Sequence, residues 1–230
     1  ISCPGLRIGM GPSHMYLTVS PEWRESPAFP NLPSGQVHIW RIHLNERGPI
    51  ASPDHPLPAH SVCWRDVAGR ALREILARYL GITAERLLIE RHSDGKPYLR
   101  DPGPKIEFNL SHSMAVALLA VSRDCSLGVD IEHLRRIDEP LRLARRALPA
   151  VESTELATLP EDQRSARLLD LWTRMEARQK ALGRGIFAEP ADPAEMSNFS
   201  FCPGPGLFAS LSLSPAQKQP DLRFFIYRPR

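Results

Sequence analysis

The chain is 230 residues long, 42% apolar and 24% charged, with a net charge of +3 at pH 7. That is enough to bury a sizeable core as one large domain or two small ones, and the composition is that of a globular rather than a disordered chain. No apolar run approaches the roughly 20 residues of a membrane-spanning helix, the first residues lack a basic-then-apolar leader, and the charge is too small and dispersed to point to nucleic acid by itself.

An acidic protein partner suits that charge equally well. Proline, at 23 residues, is used at about twice the ordinary ~5% and is concentrated between Pro21 and Pro58 and between Pro190 and Pro220, which marks loops or extended connections. The cysteines Cys3, Cys63, Cys125 and Cys202 are far apart with no C-x-x-C pair, so neither a zinc site nor a disulfide framework is indicated. A reducing cytoplasmic compartment is the simplest expectation.

In chain order, residues 37–44 alternate apolar and polar side chains and predict a half-buried strand that opens the first sheet. Residues 64–79 place Val67, Ala68, Ala71, Leu72, Ile75, Leu76 and Tyr79 at helical spacing before Gly81, and this amphipathic helix carries Arg65, Arg70 and Arg73. A short strand over 87–91, a turn at Ser93-Asp94-Gly95 and a strand over 106–110 come next, then a strand pair over 115–122 and 127–132 joined at 123–126. Helices are predicted over 141–147, 151–159 and 162–182, and closing strands over 198–201, 208–213 and 222–227. The fold class is α+β: two subdomains, 16–123 and 124–230, each a small, mostly antiparallel sheet packed with a long helix, with no repeat visible in the sequence.

In Gly128-Val129-Asp130-Ile131-Glu132 the strand period puts Asp130 and Glu132 on one face, roughly 6–7 Å apart, with Val129 and Ile131 toward the core. Two carboxylates so placed can share a hard cation such as Mg²⁺, although an isolated D-x-E is more often a solvated strand face. On the long helix Glu176 and Lys180 share a face, and taken alone they read as a surface i,i+4 ion pair. Ser111-His112-Ser113 comes after the apolar run 108–110, so His112 is expected at a strand end. No G-x-S-x-G elbow surrounds either serine, which excludes a serine-hydrolase reading. Lys96, between Gly95 and Pro97, taken alone is a solvated turn lysine.

Four elements in order change that balance: Gly95-Lys96-Pro97; Phe108-Asn109-Leu110-Ser111-His112-Ser113; Gly128-Val129-Asp130-Ile131-Glu132; and Trp172-Thr173-Arg174-Met175-Glu176-Ala177 with Lys180 and Gly183-Arg184-Gly185. Between Arg65 and Ile186 the chain resembles the 4′-phosphopantetheinyl transferases of the surfactin-synthetase type. The resemblance implies two pseudo-symmetric halves with the active site between them. It also implies Mg²⁺ on Asp130, Glu132 and Glu176, and coenzyme A phosphates on Arg65, Lys96, Ser111, His112 and Lys180. The catalytic set would be Asp130, Glu176 and Lys180, with Glu176 a ligand or the base for an attacking serine. Arg73 also occupies a place where the family carries arginine, but reads equally as a solvated helix residue.

The implied activity is transfer of 4′-phosphopantetheine from coenzyme A to a serine of an apo acyl or peptidyl carrier protein, releasing adenosine 3′,5′-bisphosphate. Carriers are acidic, and Leu134-Arg135-Arg136 with Arg142, Arg145 and Arg146 is the expected partner surface. A monomer is expected because one chain carries both halves; neither nucleic acid nor membrane is an expected partner. Two departures stand out. Met175 replaces the lysine that the family usually carries before the helix glutamate, and it fits an apolar stripe with Leu168, Leu171 and Leu182. The segment 49–60 is proline-rich where relatives tend to carry a basic helix. The alternative is therefore a catalytically weak module that binds coenzyme A or a carrier protein.

Overall fold

A computed structural model describes residues 16–44, 64–100, 105–185, 195–217 and 219–228. The elements are β1 Tyr16–Val19, β2 Trp23–Glu25, β3 Gln36–His43, α1 Trp64–Leu80, β4 Ile89–Arg91, β5 Pro97–Leu99, β6 Glu107–Ser113, β7 Val116–Ser122, β8 Ser126–His133, α2 Pro140–Ala147, α3 Ala150–Thr158, α4 Glu161–Ala181, β9 Ser197–Phe201, β10 Leu207–Ser214 and β11 Asp221–Tyr227. A single 3₁₀ turn, Ala84–Arg86, comes after α1.

Two mixed sheets and a hairpin result. One sheet runs β2-β11-β3-β7-β6, the other β1-β9-β10-β8, and β4-β5 stands apart. β11 is parallel to both β2 and β3, β1 is parallel to β9, and the remaining pairs are antiparallel. The expected division at 123/124 falls between β7 and β8, where the chain passes from one sheet to the other. The sheets trade strands across it: β1 lies at the edge of the sheet of C-terminal strands, and β11 lies between the N-terminal strands β2 and β3. Strands β1, β2 and β5, of three or four residues, are too short to show a period, and no strand was expected at any of them. Residues 87 and 88 precede β4 rather than joining it.

Sequence alternation explains how the layers stack. Trp40 and Ile42 of β3 and Ala117, Leu119 and Val121 of β7 meet Ala68, Ala71, Ile75 and Leu76 of α1. From the opposite face of the same strands, Val37, Ile39, Leu118 and Ala120 meet Leu127, Val129 and Ile131 of β8 and Leu211 and Leu213 of β10. The order is thus α1, sheet, sheet, α4. Strand β3 was expected to be half-buried, but Val37, His38, Ile39, Trp40 and Ile42 are all buried because both of its faces are covered. The helices α2 and α3 pack on α4 through Ala144, Leu148, Leu156, Leu168, Leu171 and Met175. Arg167 links Glu155 of α3 at 2.8 Å to Asp170 at 2.5 Å. Leu182 leaves the stripe and packs with Ala181 and Met196.

Cys125 is a buried free thiol. Cys202 is disulfide-bonded, contrary to the expectation from cysteine spacing, which cannot see pairs that only the fold brings together. Among the described residues no helix is long and apolar enough to cross a membrane. The proline-rich segment 49–60 lies outside the described residues.

Burial of a polar β3 residue has a consequence for stability. Tyr79 Oη accepts from Trp40 Nε1 (2.8 Å) and lies 2.7 Å from His38 Nδ1, and His38 Nε2 lies 3.0 Å from Gln36 Oε1. These bonds are all satisfied by a neutral ring with its proton on Nε2. Burial, with Arg223 adding to it, pushes the His38 pKa down to about 4. A depressed histidine favours folding above the unfolded pKa of about 6.5, and the contribution is lost as pH falls from there through about 4, amounting to about 3 kcal/mol at the acid end. A urea series should show this extra loss between pH 6.5 and 4 in the native chain and not in His38→Gln. Equal slopes in the two proteins would refute it.

Candidate active site

The seam between the two sheets is bridged by side chains rather than by a backbone ladder. β6 runs beside β8, and its alternate residues reach across. Asn109 Oδ1 accepts from Val129 N (3.0 Å), Ser111 Oγ donates to Asp130 Oδ1 (2.7 Å), and Ser113 Oγ donates to Glu132 Oε2 (3.2 Å) while accepting from His133 N (3.1 Å). Ser111-His112-Ser113 therefore lies inside β6, not beyond its end; the strand continues because these hydroxyls satisfy β8. The intervening His112 is exposed, and β6 turns into β7 through Met114 at φ 52°.

The opposite wall is α4. It approaches β8 so closely that a Cβ on Gly128 would lie 2.2 Å from Ala177 O and 2.4 Å from Ala181 N. Thr173 Oγ1, one turn earlier, lies 3.1 Å from Ser210 Oγ of β10. At this spacing Lys180 Nζ reaches Asp130 Oδ1 at 2.5 Å, Glu176 Oε2 at 3.1 Å and Ser111 Oγ at 3.3 Å. The i,i+4 pair of the sequence is thus one side of a three-way contact.

Charges here are tightly interdependent. Burial pushes the Asp130 carboxyl up to about 7; Lys180 pulls it back and Glu176 adds to the rise. Burial also works against the Lys180 ammonium, but Asp130 and Glu176 together outweigh it and hold its pKa above the ordinary value. His112 is lowered by burial and by the cations Lys180 and Arg65, so Arg65, in the first turn of α1, shares the field of the same site.

The expected carboxylates are present but do not close on one point. Asp130 and Glu176 flank the Lys180 ammonium, whereas Glu132 is held by Arg135 at 2.6 Å. Among the described residues no three His, Cys, Asp or Glu side chains form a metal-holding group. One observation nevertheless suits a hard cation: Asp130 Oδ2 is buried and has no hydrogen-bond partner, in a donor set made of carboxylate oxygens.

Two basic residues read as solvated when taken alone are bonded within the protein. Lys96 is no solvated turn residue: its ammonium donates to Ser126 Oγ (2.6 Å), Ala181 O (3.2 Å) and Leu127 O (3.4 Å). Arg73 donates twice to Leu87 O, at 3.0 and 3.1 Å, and so fastens α1 to the segment before β4. Conversely, no role was expected of Trp172, whose Nε1 donates to Glu176 Oε1 at 2.7 Å, nor of Asn109 and Gly128. Their signal was their place inside the quoted motifs.

A family model described as the 4′-phosphopantetheinyl transferase superfamily matches residues 126–226. The 4′-phosphopantetheinyl transferase HetI of Nostoc is 35% identical over 179 residues, covering 71% of this chain and 76% of that protein. The chain belongs to the 4′-phosphopantetheinyl transferase superfamily. The transferase psf-1 of Bacillus pumilus is 35% identical over 123 residues, or 53% of this chain and 51% of that protein. The L-aminoadipate-semialdehyde dehydrogenase-phosphopantetheinyl transferase of Xenopus laevis is 33% identical over 131 residues, 52% of this chain and 43% of that protein. The chain thus spans about half of these last two, and membership makes it a phosphopantetheinyl transferase by class.

In this member the close approach at Gly128 decides whether Lys180 meets Asp130. Gly128→Ala should cost about 3 kcal/mol, the upper end for an overpacked site, read from urea denaturation. An unchanged midpoint would show that α4 is not held at this distance.

Proposed function

We propose that the chain transfers 4′-phosphopantetheine from coenzyme A to the serine hydroxyl of an apo acyl or peptidyl carrier protein, with Mg²⁺, releasing adenosine 3′,5′-bisphosphate. The observation that carries this reading is the Asp130–Lys180–Glu176 contact, with one orphaned buried oxygen on Asp130. Asp130 and Glu176 would hold the cation, and Glu132 would join them once Arg135 releases it. When bound, the cation supplies positive charge to the pyrophosphate oxygens.

The chain's own groups do the rest. The Lys180 ammonium, at the mouth of this carboxylate pair, would meet the pyrophosphate of coenzyme A and stabilise the charge that leaves with the bisphosphate. His112 and Arg65, on the exposed side, suit the remaining nucleotide phosphate, where an arginine fork is well matched. Glu176, oriented at Oε1 by Trp172, accepts the serine proton as the serine oxygen bonds to the β-phosphorus and the bond to the bisphosphate breaks. Ser111 fixes the Asp130 carboxylate from behind.

Met175 is buried against Leu168 and Leu171 on the α2–α3 side of α4. Its side chain is directed away from Lys180, so an apolar residue there leaves this contact intact, which supports the enzyme over the binding module. For the carrier, α2 presents Arg142, Arg145 and Arg146, all three exposed, with Arg142 ion-paired to Glu139. Beside them a groove of about 680 Å³ runs between 134–140 and the start of α4. Its Leu134, Arg135, Arg136 and Ile137, with the arginines of α2, suit an acidic helix that also offers apolar side chains, the chemistry of a carrier protein, while Asp138, Glu161 and Asp162 line the rest of the groove.

Intact-mass spectrometry of apo carrier proteins incubated with coenzyme A, Mg²⁺ and the native chain should show the gain of one phosphopantetheinyl group. Glu176→Gln should slow that gain at least ~100-fold, the usual worth of a positioned base. Coenzyme A binding without any mass gain on a panel of carriers would sink the transferase reading in favour of the binding module.

A further inference from the structure

We propose that Lys96 is a positioning residue that ties the last turn of α4 to the start of β8 and thereby sets Lys180 against Asp130. This rests on the proposed role of Lys180 in phosphate transfer. It differs from the coenzyme A phosphate contact that the family resemblance implies for Lys96.

A helix leaves its last four carbonyls without helical partners. In α4, Arg178 O accepts from Leu182 N, Lys180 O from Gly183 N, and Gln179 O from Arg184 N, a closure made possible by Gly183 at φ +67°. Ala181 O is satisfied from other elements instead: Ser126 Oγ donates to it at 2.7 Å and Lys96 Nζ at 3.2 Å. The same ammonium donates to Ser126 Oγ and to Leu127 O. An ammonium has three donors, and all three are engaged at the junction. A cation at a helix C-terminus is also favoured by the helix dipole.

The turn that carries Lys96 fits the same place. Asp94 accepts from Lys96 N at 2.8 Å, and its other oxygen lies where a Cβ on Gly183 would be, 2.3 Å away. Asp94, Gly95 and Lys96 therefore form a cap on the end of α4. Every atom they hold is adjacent to the site: Ala181 is next to Lys180, and Ser126 and Leu127 lead into Gly128 and Asp130. Lys96 is partly buried and its pKa is lowered by that burial, opposed by Glu107, Asp94 and Cys125, as fits an ammonium committed to internal acceptors.

The test compares Lys96→Met and Ser126→Ala with the native chain in hydrogen exchange of the 178–184 amides and in steady-state transfer. The expected result is faster exchange at the end of α4 in both variants, a fall in kcat of about tenfold or more, and KM for coenzyme A within about twofold of native. Ser126→Ala keeps the fold readable if Lys96→Met does not fold. A tenfold rise in KM for coenzyme A in Lys96→Met, with kcat and amide exchange unchanged, would overturn the proposal and make Lys96 a phosphate ligand. Unchanged exchange and kinetics in both variants would overturn it as well. If the native chain transfers nothing, the transferase reading fails, while amide exchange still decides whether the clamp exists.

Discussion

Everything proposed for this chain depends on how close α4 lies to β8. The absence of a side chain at Gly128 lets the helix backbone come to within van der Waals contact of the strand, with Ala177 O, Ala181 N and Lys180 Cβ facing it. An added methyl would push the helix outward, and a lysine reaching 2.5 Å from Asp130 would fall short. The cost of the arrangement is a carboxylate buried beneath an ammonium, which is favourable only when the remaining lone pairs are bonded. Ser111 supplies one such bond, and the unpartnered Asp130 Oδ2 is the point at which the site is left incomplete.

The seam explains why a two-sheet fold suits this site. Neither sheet alone contains it: β6 and α1 come from one side, β8 and α4 from the other. Exchange of β1 and of the interior strand β11 between the sheets stitches the halves together away from the seam as well. Side chains rather than backbone bonds join β6 to β8, and for that reason the polar residues at 109, 111 and 113 sit in an otherwise apolar strand.

Long periodic segments were legible in the sequence. α1, α4 and strands β3, β6, β7, β8, β10 and β11 lie within a few residues of their expected bounds, because an apolar face repeated several times fixes both type and register. β1, β2 and β5 offer no such repeat, and the parallel placement of β11 beside β3 is long-range information that alternation does not contain. At the site, residue types at motif spacing pointed to Asp130, Glu176 and Lys180, which the fold does bring together. They could not reveal that Glu132 turns to Arg135 or that Lys96 turns to the end of α4, since each choice is made by the packed surroundings rather than by the motif. Met175 was readable as apolar stripe, and it is buried in the α2–α3–α4 core.

The most direct measurement is a crystal structure of the chain with coenzyme A and Mn²⁺, the ion located by its anomalous signal. The account predicts Mn²⁺ bonded to Asp130 and Glu176, with the pyrophosphate against Lys180 and a second phosphate group near His112 and Arg65. Coenzyme A bound away from the β6–β8 seam, or an ion that touches neither carboxylate, would contradict it.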